Sequence, residues 1–180
     1  AKPIIVKIDK SLNLCPLDLE RKITKKTKAV IAVHMLGFSC DMKKIKKICN
    51  KFKLPLIEDN CEAIGGKFNK KYLGTLSDVG IFSFDFAKNI TTGEGGSILT
   101  NKSKIYEKCK QYHDHGHITK KGRSRGLDNA NFPGFNYRMT EMQAAVGIEQ
   151  LKKLKQIITG NKLRYKKLEK LKKKFNVRFN

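Results

Sequence analysis

Short apolar runs alternate with longer stretches in which apolar residues recur every three or four positions. Ile4–Ile8, Ala29–Val33, Leu54–Ile57, Ile81–Phe86 and Ser97–Leu99 read as strands, several of them too uniformly apolar to leave one face in water. Between them, Leu17–Ile23 and Met42–Phe52 have helical spacing. In the second, Met42, Ile45, Ile48, Cys49 and Phe52 fall on one stripe with lysines on the other face, and Asp41 stands near the start, where a carboxylate complements the helix dipole. This alternation predicts an α/β fold with a mostly parallel sheet covered on both faces. Only a Gly-rich loop separates Ile81–Phe86 from Ser97–Leu99, so that pair is expected to run antiparallel.

The second half is more helical. A helix is predicted from Lys102 to Tyr112, followed by an irregular stretch carrying Gly116, Gly122, Gly126, Pro133 and Gly134; a loop of that length inside a domain is usually functional or mobile. Thr140 can cap a helix that starts at about Met142, with Gly160 as a break and a further helix marked by Leu163, Leu168 and Leu171. Residues 1–150 read as one domain and 151–180 as a helical connection out of it. The chain starts at Ala1 close to a strand and ends with a strand-like Phe175–Asn180, so it reads as the interior of a longer protein.

Composition narrows the class. Among 180 residues, 39 are Lys or Arg and 16 are Asp or Glu, a net charge of +23. Such an excess draws anions, nucleic acid included. Arg stands at only six positions, however, whereas recognition of phosphates and guanines favours its bidentate fork, so no specific nucleic-acid partner is expected. Residues 152–178 carry twelve Lys or Arg against Glu169, which suits a solvated helix face as well as an anion patch. No run approaches the roughly 18 apolar residues of a membrane span, so membrane insertion is not expected. The five cysteines are odd in number and form no CxxC pair, which points to a reducing, cytoplasmic compartment.

Three segments carry candidate chemistry. Lys88 follows the strand Ile81–Phe86, where side chains at the end of a parallel sheet open into a ligand crevice. An amine there can act as a nucleophile toward a carbonyl; it can also be one more surface lysine. Asp59 ends another apolar run, and it can hold a pyridine nitrogen protonated or cap the segment that follows. Ser83 can donate to a phosphate or simply sit in the sheet. His113, His115 and His117, near Cys109, suggest a metal cluster, substrate or interface contacts, or ordinary loop polarity.

The segments IEDNCEAIGG, GTLSDVGIFSFDFAKNITTGEGGSILTN, HDHGH and GFNYRMTEMQAAVGIEQLKKL resemble the pyridoxal-phosphate sugar aminotransferases of the DegT/DnrJ/StrS type, over essentially the whole chain. The resemblance implies an aspartate-aminotransferase-like fold of which five large-domain strands remain, with residues 151–180 leading toward a small C-terminal domain. It implies a homodimer with sites at the subunit interface, and amino transfer from glutamate to a keto-sugar, nucleotide-linked or free, in cell-surface polysaccharide or amino-sugar biosynthesis. It further implies that Lys88 holds pyridoxal 5'-phosphate as a Schiff base, Asp59 pairs with the ring nitrogen, Ser83 binds the phosphate and Asn136 reaches the phosphate of the neighbouring subunit. Glu62 stands where many members carry Gln, and is expected to contact the cofactor ring or the substrate. A sister branch of sugar dehydratases usually has His in place of Lys88. By the same likeness the chain is about half a member, and an isolated fragment is expected to be inactive.

Overall fold

The computed structural model describes residues 1–118, 127–128 and 133–175. Helix α1 spans Pro16–Lys22, strand β1 Val30–Val33, helix α2 Met42–Lys51 and strand β2 Leu56–Asp59. A small hairpin of β3, Lys67–Phe68, and β4, Lys71–Tyr72, precedes β5, Val79–Ser83, and β6, Gly96–Leu99. Helix α3 covers Ser103–Tyr112 and α4 Glu141–Lys174. The main sheet has the order β1-β2-β5-β6, with β1, β2 and β5 parallel and β6 antiparallel to β5. This is the α/β architecture the pattern predicts, including the reversed pair.

The core lies between the sheet and two helices, α1 ahead of β1 and the β1–β2 crossover α2. Val30, Ala32 and Leu56 of the sheet pack on Leu19 of α1 and on Met42, Ile45, Ile48 and Cys49 of α2. Four of the five residues of the stripe predicted for α2 are therefore buried, Phe52 lying just past the helix and exposed, and Asp41 caps the helix by accepting from Lys44 N–H at 3.1 Å. Contrary to the expectation of a sheet covered on both faces, the opposite face of β1 is not covered, because no element of the described residues packs on it: Ile31 and Val33 remain exposed.

Two more expectations fail for identifiable reasons, and one hairpin went unpredicted. Ile4–Ile8 is not a strand, so the main sheet has four strands rather than five. Its backbone bonds locally instead: Ile8 bridges Leu14, Cys15 N–H donates to Lys7 O, and Lys22 Nζ donates to Ile5 O. Gly160 does not break a helix. Helix α4 runs through it unbroken, since an interior Gly costs only about 1 kcal/mol against Ala, too little to end a helix of 34 residues. The hairpin β3–β4 was not read from sequence. Its turn places Asn69 at φ 47° and Lys70 at φ 66°, the left-handed pair a two-residue hairpin needs, but without the Asn-Gly that announces it. Gly122, Gly126 and the strand-like 176–180 lie outside the described residues.

Candidate active site

The site is built on the alternation of side chains in β2 and β5. Asp59 pairs in register with Ile81 of the parallel neighbour, so Asp59, Ile81 and, two residues on, Ser83 share one face of the sheet at its C-terminal rim. Glu58, one residue earlier, faces the other way and is fully buried. The sheet thus separates two adjacent carboxylates.

On the open side, Asp59 is half-buried and its Oδ1 accepts from Cys61 N–H at 3.1 Å, a tight turn that aims the carboxylate along the rim. The Cys61 thiol ties this corner to Lys88. Burial, then a hydrogen bond to Asp59 and the charges of Asp59 and Glu62, push the thiol up to about 11, while the Lys88 charge pulls it down. The charges of Asp59, Glu62 and Lys88 thus all bear on this thiol.

Lys88 lies on the loop that joins β5 to β6. Lys88 N–H donates to Asp85 O at 3.0 Å, and Asp85 Oδ1 accepts from Ala87 N–H. Further along, Thr92 N–H donates to Phe84 O, and Phe84 N–H to Gly95 O. Gly95, at φ 150°, sits where a Cβ would come within 2.7 Å of Thr92 Oγ1 and 2.8 Å of Met139, so this glycine cannot carry a side chain. Helix α4 packs along the loop: Asn161 Nδ2 donates to Asn89 Oδ1 at 3.2 Å, and Gln143 Nε2 to Glu94 O at 3.1 Å. Thr140 caps α4 in a reciprocal box with Gln143, as its sequence position predicts. The Ser83 hydroxyl accepts from Asp85 N–H at 3.2 Å and keeps its own proton to donate.

Glu62 and Asn136 are placed differently. Glu62 is exposed, and its Oε2 accepts from Leu36 N–H at 2.8 Å, in the turn that follows β1. Asn136 lies on a backbone bridge to Asp114, flanked by Phe135 and Tyr137, whose rings stack at 5.4 Å. Among the described residues no hydrogen bond joins Asn136 to Asp59, Ser83 or Lys88. The histidines serve the same loop. His117 Nδ1 pairs with Asp128 at 3.0 Å, His113 Nδ1 pairs with Lys110 O, and His115 lies edge-on to His117. Among the described residues no three His, Cys, Asp or Glu side chains group as a metal site requires.

Sequence reasoning missed the buried side of the rim. His34 Nδ1 accepts from Cys40 N–H at 3.2 Å, so its Nε2 carries the proton and donates to Glu58 Oε2 at 3.2 Å. Glu58 also accepts from Gly74 N–H at 2.9 Å and Leu76 N–H at 2.7 Å. Burial alone would raise the Glu58 carboxyl, but bonds from His34, Gly74, Ser77 and Leu76 outweigh it and hold the group below the usual carboxylate range. The one clue in the sequence was a second carboxylate directly after the apolar run, Ile57-Glu58-Asp59, of which alternation sends one to each face.

A carboxylate, a hydroxyl and an amine at one sheet rim are the donor set that a phosphorylated pyridine aldehyde requires. Residues 1–177 match the DegT/DnrJ/EryC1/StrS aminotransferase family. The chain is 40% identical over 163 residues to GDP-perosamine synthase of Vibrio cholerae, covering 90% of this chain and 43% of that protein. It superposes with a TM-score of 0.78 on Helicobacter pylori PseC, an aminotransferase involved in the biosynthesis of pseudoaminic acid, at 34% identity, covering 85% of this chain and 40% of that one. With the E. coli GDP-4-keto-6-deoxy-D-mannose-3-dehydratase bearing hydrated PLP the TM-score is 0.82 at 34% identity, over 95% of this chain and 46% of that one. The chain spans less than half the length of each.

Proposed function

The chain belongs to the DegT/DnrJ/EryC1/StrS aminotransferase family, and from that premise we propose that its protein is a pyridoxal-phosphate-dependent aminotransferase that moves an amino group from glutamate to a keto-sugar. The observation that carries this reading is the shared face of Asp59 and Ser83 at the ends of adjacent parallel strands, with Lys88 on the loop directly beyond. Lys88, rather than the histidine of the dehydratase branch, supports amino transfer over dehydration.

The cofactor, when bound, supplies the electron sink that stabilises the pair left on a substrate carbon after deprotonation. Asp59 accepts the ring N–H and keeps that nitrogen protonated. Ser83 donates its hydroxyl to the phosphate. Lys88 would be the residue that attaches the cofactor through its amine. Its freed amine then takes the proton from the substrate carbon and returns it on the other side of the transfer, as general base and general acid. The loop bonds to Phe84, Glu94 and Asn89 hold Lys88 near this position without using its side chain. The five free thiols fit a reducing cytoplasmic compartment, and no helix among the described residues is long and apolar enough to cross a membrane.

The test is the glutamate half-reaction. The full-length protein loaded with pyridoxal phosphate is expected to release one 2-oxoglutarate per site from glutamate alone, and Asp59→Asn to slow that step by about 10²-fold or more while the borohydride-fixed adduct persists. Loaded protein that releases no 2-oxoglutarate overturns the proposal.

The exposed Asn136 is assigned to the phosphate of a partner subunit in an isologous homodimer, where one chain completes the pocket of the other. Mixing inactive Lys88→Ala and Asn136→Ala full-length proteins is then expected to restore about a quarter of the wild-type sites, because statistical exchange makes half the dimers hybrid and one site in each hybrid intact. If subunits exchange by mass and no activity returns, the shared site is wrong.

A further inference from the structure

His34 directly follows β1, is fully buried, and touches β2 at two successive residues. Its backbone N–H donates to Asp59 O at 3.0 Å, and its ring donates through Nε2–H to Glu58 Oε2 at 3.2 Å. The ring is kept from turning. Nδ1 accepts from Cys40 N–H at 3.2 Å, and the Cys40 thiol donates to Val33 O at 3.0 Å, so the segment after β1 folds back and fixes the imidazole from behind. On the far side, the Glu58 carboxylate is anchored by the amides of Gly74 at 2.9 Å and Leu76 at 2.7 Å. Asp59 is held more lightly. It is the last residue of β2, half-buried, and its carboxylate bonds within its own turn, to the Cys61 N–H at 3.1 Å and the Cys61 thiol.

We propose that His34 is a positioning residue: by gripping the Asp59 carbonyl and the Glu58 carboxylate together, it sets the direction in which Asp59 presents its own carboxylate at the rim. The inference rests on the reading that Asp59 pairs with the ring nitrogen of pyridoxal phosphate. Side chains at 58 and 59 project to opposite faces, so a twist of β2 about its axis that moves one moves the other. A buried hydrogen bond to a charged acceptor resists that twist more than a bond between neutral groups does. The imidazole spans the gap from Cys40 N–H to Glu58 with an acceptor at one nitrogen and a donor at the other. Glutamine offers the same pair of functions. Asparagine keeps an oxygen for Cys40 N–H but is a methylene shorter, and leaves Glu58 without its donor.

The experiment compares His34→Asn and His34→Gln in the full-length protein. Amide hydrogen exchange at Cys61, measured without cofactor, reports whether the Asp59 carboxylate keeps its place. Exchange at Val30, whose N–H donates to Pro55 O at 2.9 Å at the opposite end of β1, reports loosening of the fold as a whole. In His34→Asn the Cys61 amide is expected to exchange about tenfold faster or more against an unchanged Val30, and the glutamate half-reaction to slow about tenfold while affinity for pyridoxal phosphate changes less than about threefold; His34→Gln recovers most of both losses. Cys61 exchange that is unchanged, or that rises no more than Val30 exchange, overturns the proposal, as does an unchanged half-reaction. Glu58→Gln weakens the same grip from its other end and is read by the same criteria if His34→Asn does not fold. A wild-type protein that gives no borohydride-fixed adduct on Lys88 overturns the cofactor reading itself, and the Cys61 exchange, which needs no cofactor, still decides whether His34 sets Asp59.

Discussion

Replacing Lys88 with alanine in the full-length protein removes the borohydride-fixed cofactor adduct and lowers amino transfer by about 10⁴-fold or more. Two roles vanish with one side chain, the covalent hold and the proton carrier, and no neighbouring group at the rim can replace them: Asp59 and Glu62 are carboxylates, and the Cys61 thiol stays protonated at neutral pH. The fold is not at stake. The loop is shaped by Lys88 N–H on Asp85 O, by Thr92 N–H on Phe84 O and by Asn161 on Asn89, none of which involves the Lys88 ammonium. Stability of Lys88→Ala is therefore expected within about 0.5 kcal/mol of wild type, as for substitutions outside the packed core. Peptide mass mapping after reduction checks the assignment. An adduct persisting at stoichiometric yield in Lys88→Ala means another lysine carries the cofactor.

Glu58→Ala is expected to destabilise the protein by about 3 kcal/mol or more, measured from the urea midpoint. Removing this carboxylate leaves the His34 Nε2–H and the amides of Gly74 and Leu76 without their acceptor inside the core. The pH dependence has a definite sign. Because the folded carboxyl is held below its ordinary value of 4.5, the stability it contributes is fully present above that value and is lost as pH falls through the lower folded value. Wild type should therefore lose stability in acid more steeply than Glu58→Gln, whose side chain does not titrate. Equal acid slopes for the two, or an alanine variant within about 0.5 kcal/mol of wild type, would remove Glu58 from this role.

The parts of the fold that follow from local chemistry were legible. Asp41 and Thr140 mark helix starts because their oxygens satisfy amides three residues on, and the stripe on α2 is buried because its spacing matches the helix repeat. What stayed hidden depends on partners distant in sequence. Ile4–Ile8 has the apolar pattern of a strand but bonds to the region of α1 rather than to the sheet. Glu58 and Asp59 offer the same carboxylate chemistry in sequence, and only the register with β5 assigns one to the core and the other to the rim. That Glu62 Oε2 accepts from the amide of a turn 26 residues earlier is likewise announced by nothing in the sequence.

The placement of two adjacent carboxylates on opposite sides of β2 restricts how this segment can vary over evolutionary time. Side chains along the strand can be exchanged one by one, each at its own cost. Length cannot. Inserting or deleting a single residue ahead of Glu58 turns both carboxylates over together, carrying Asp59 toward His34 and the amides of Gly74 and Leu76 and bringing Glu58 out to the rim. Substitution and indel are thus unequal events here: the first tests one interaction, whereas the second exchanges the structural acid for the functional one in a single step.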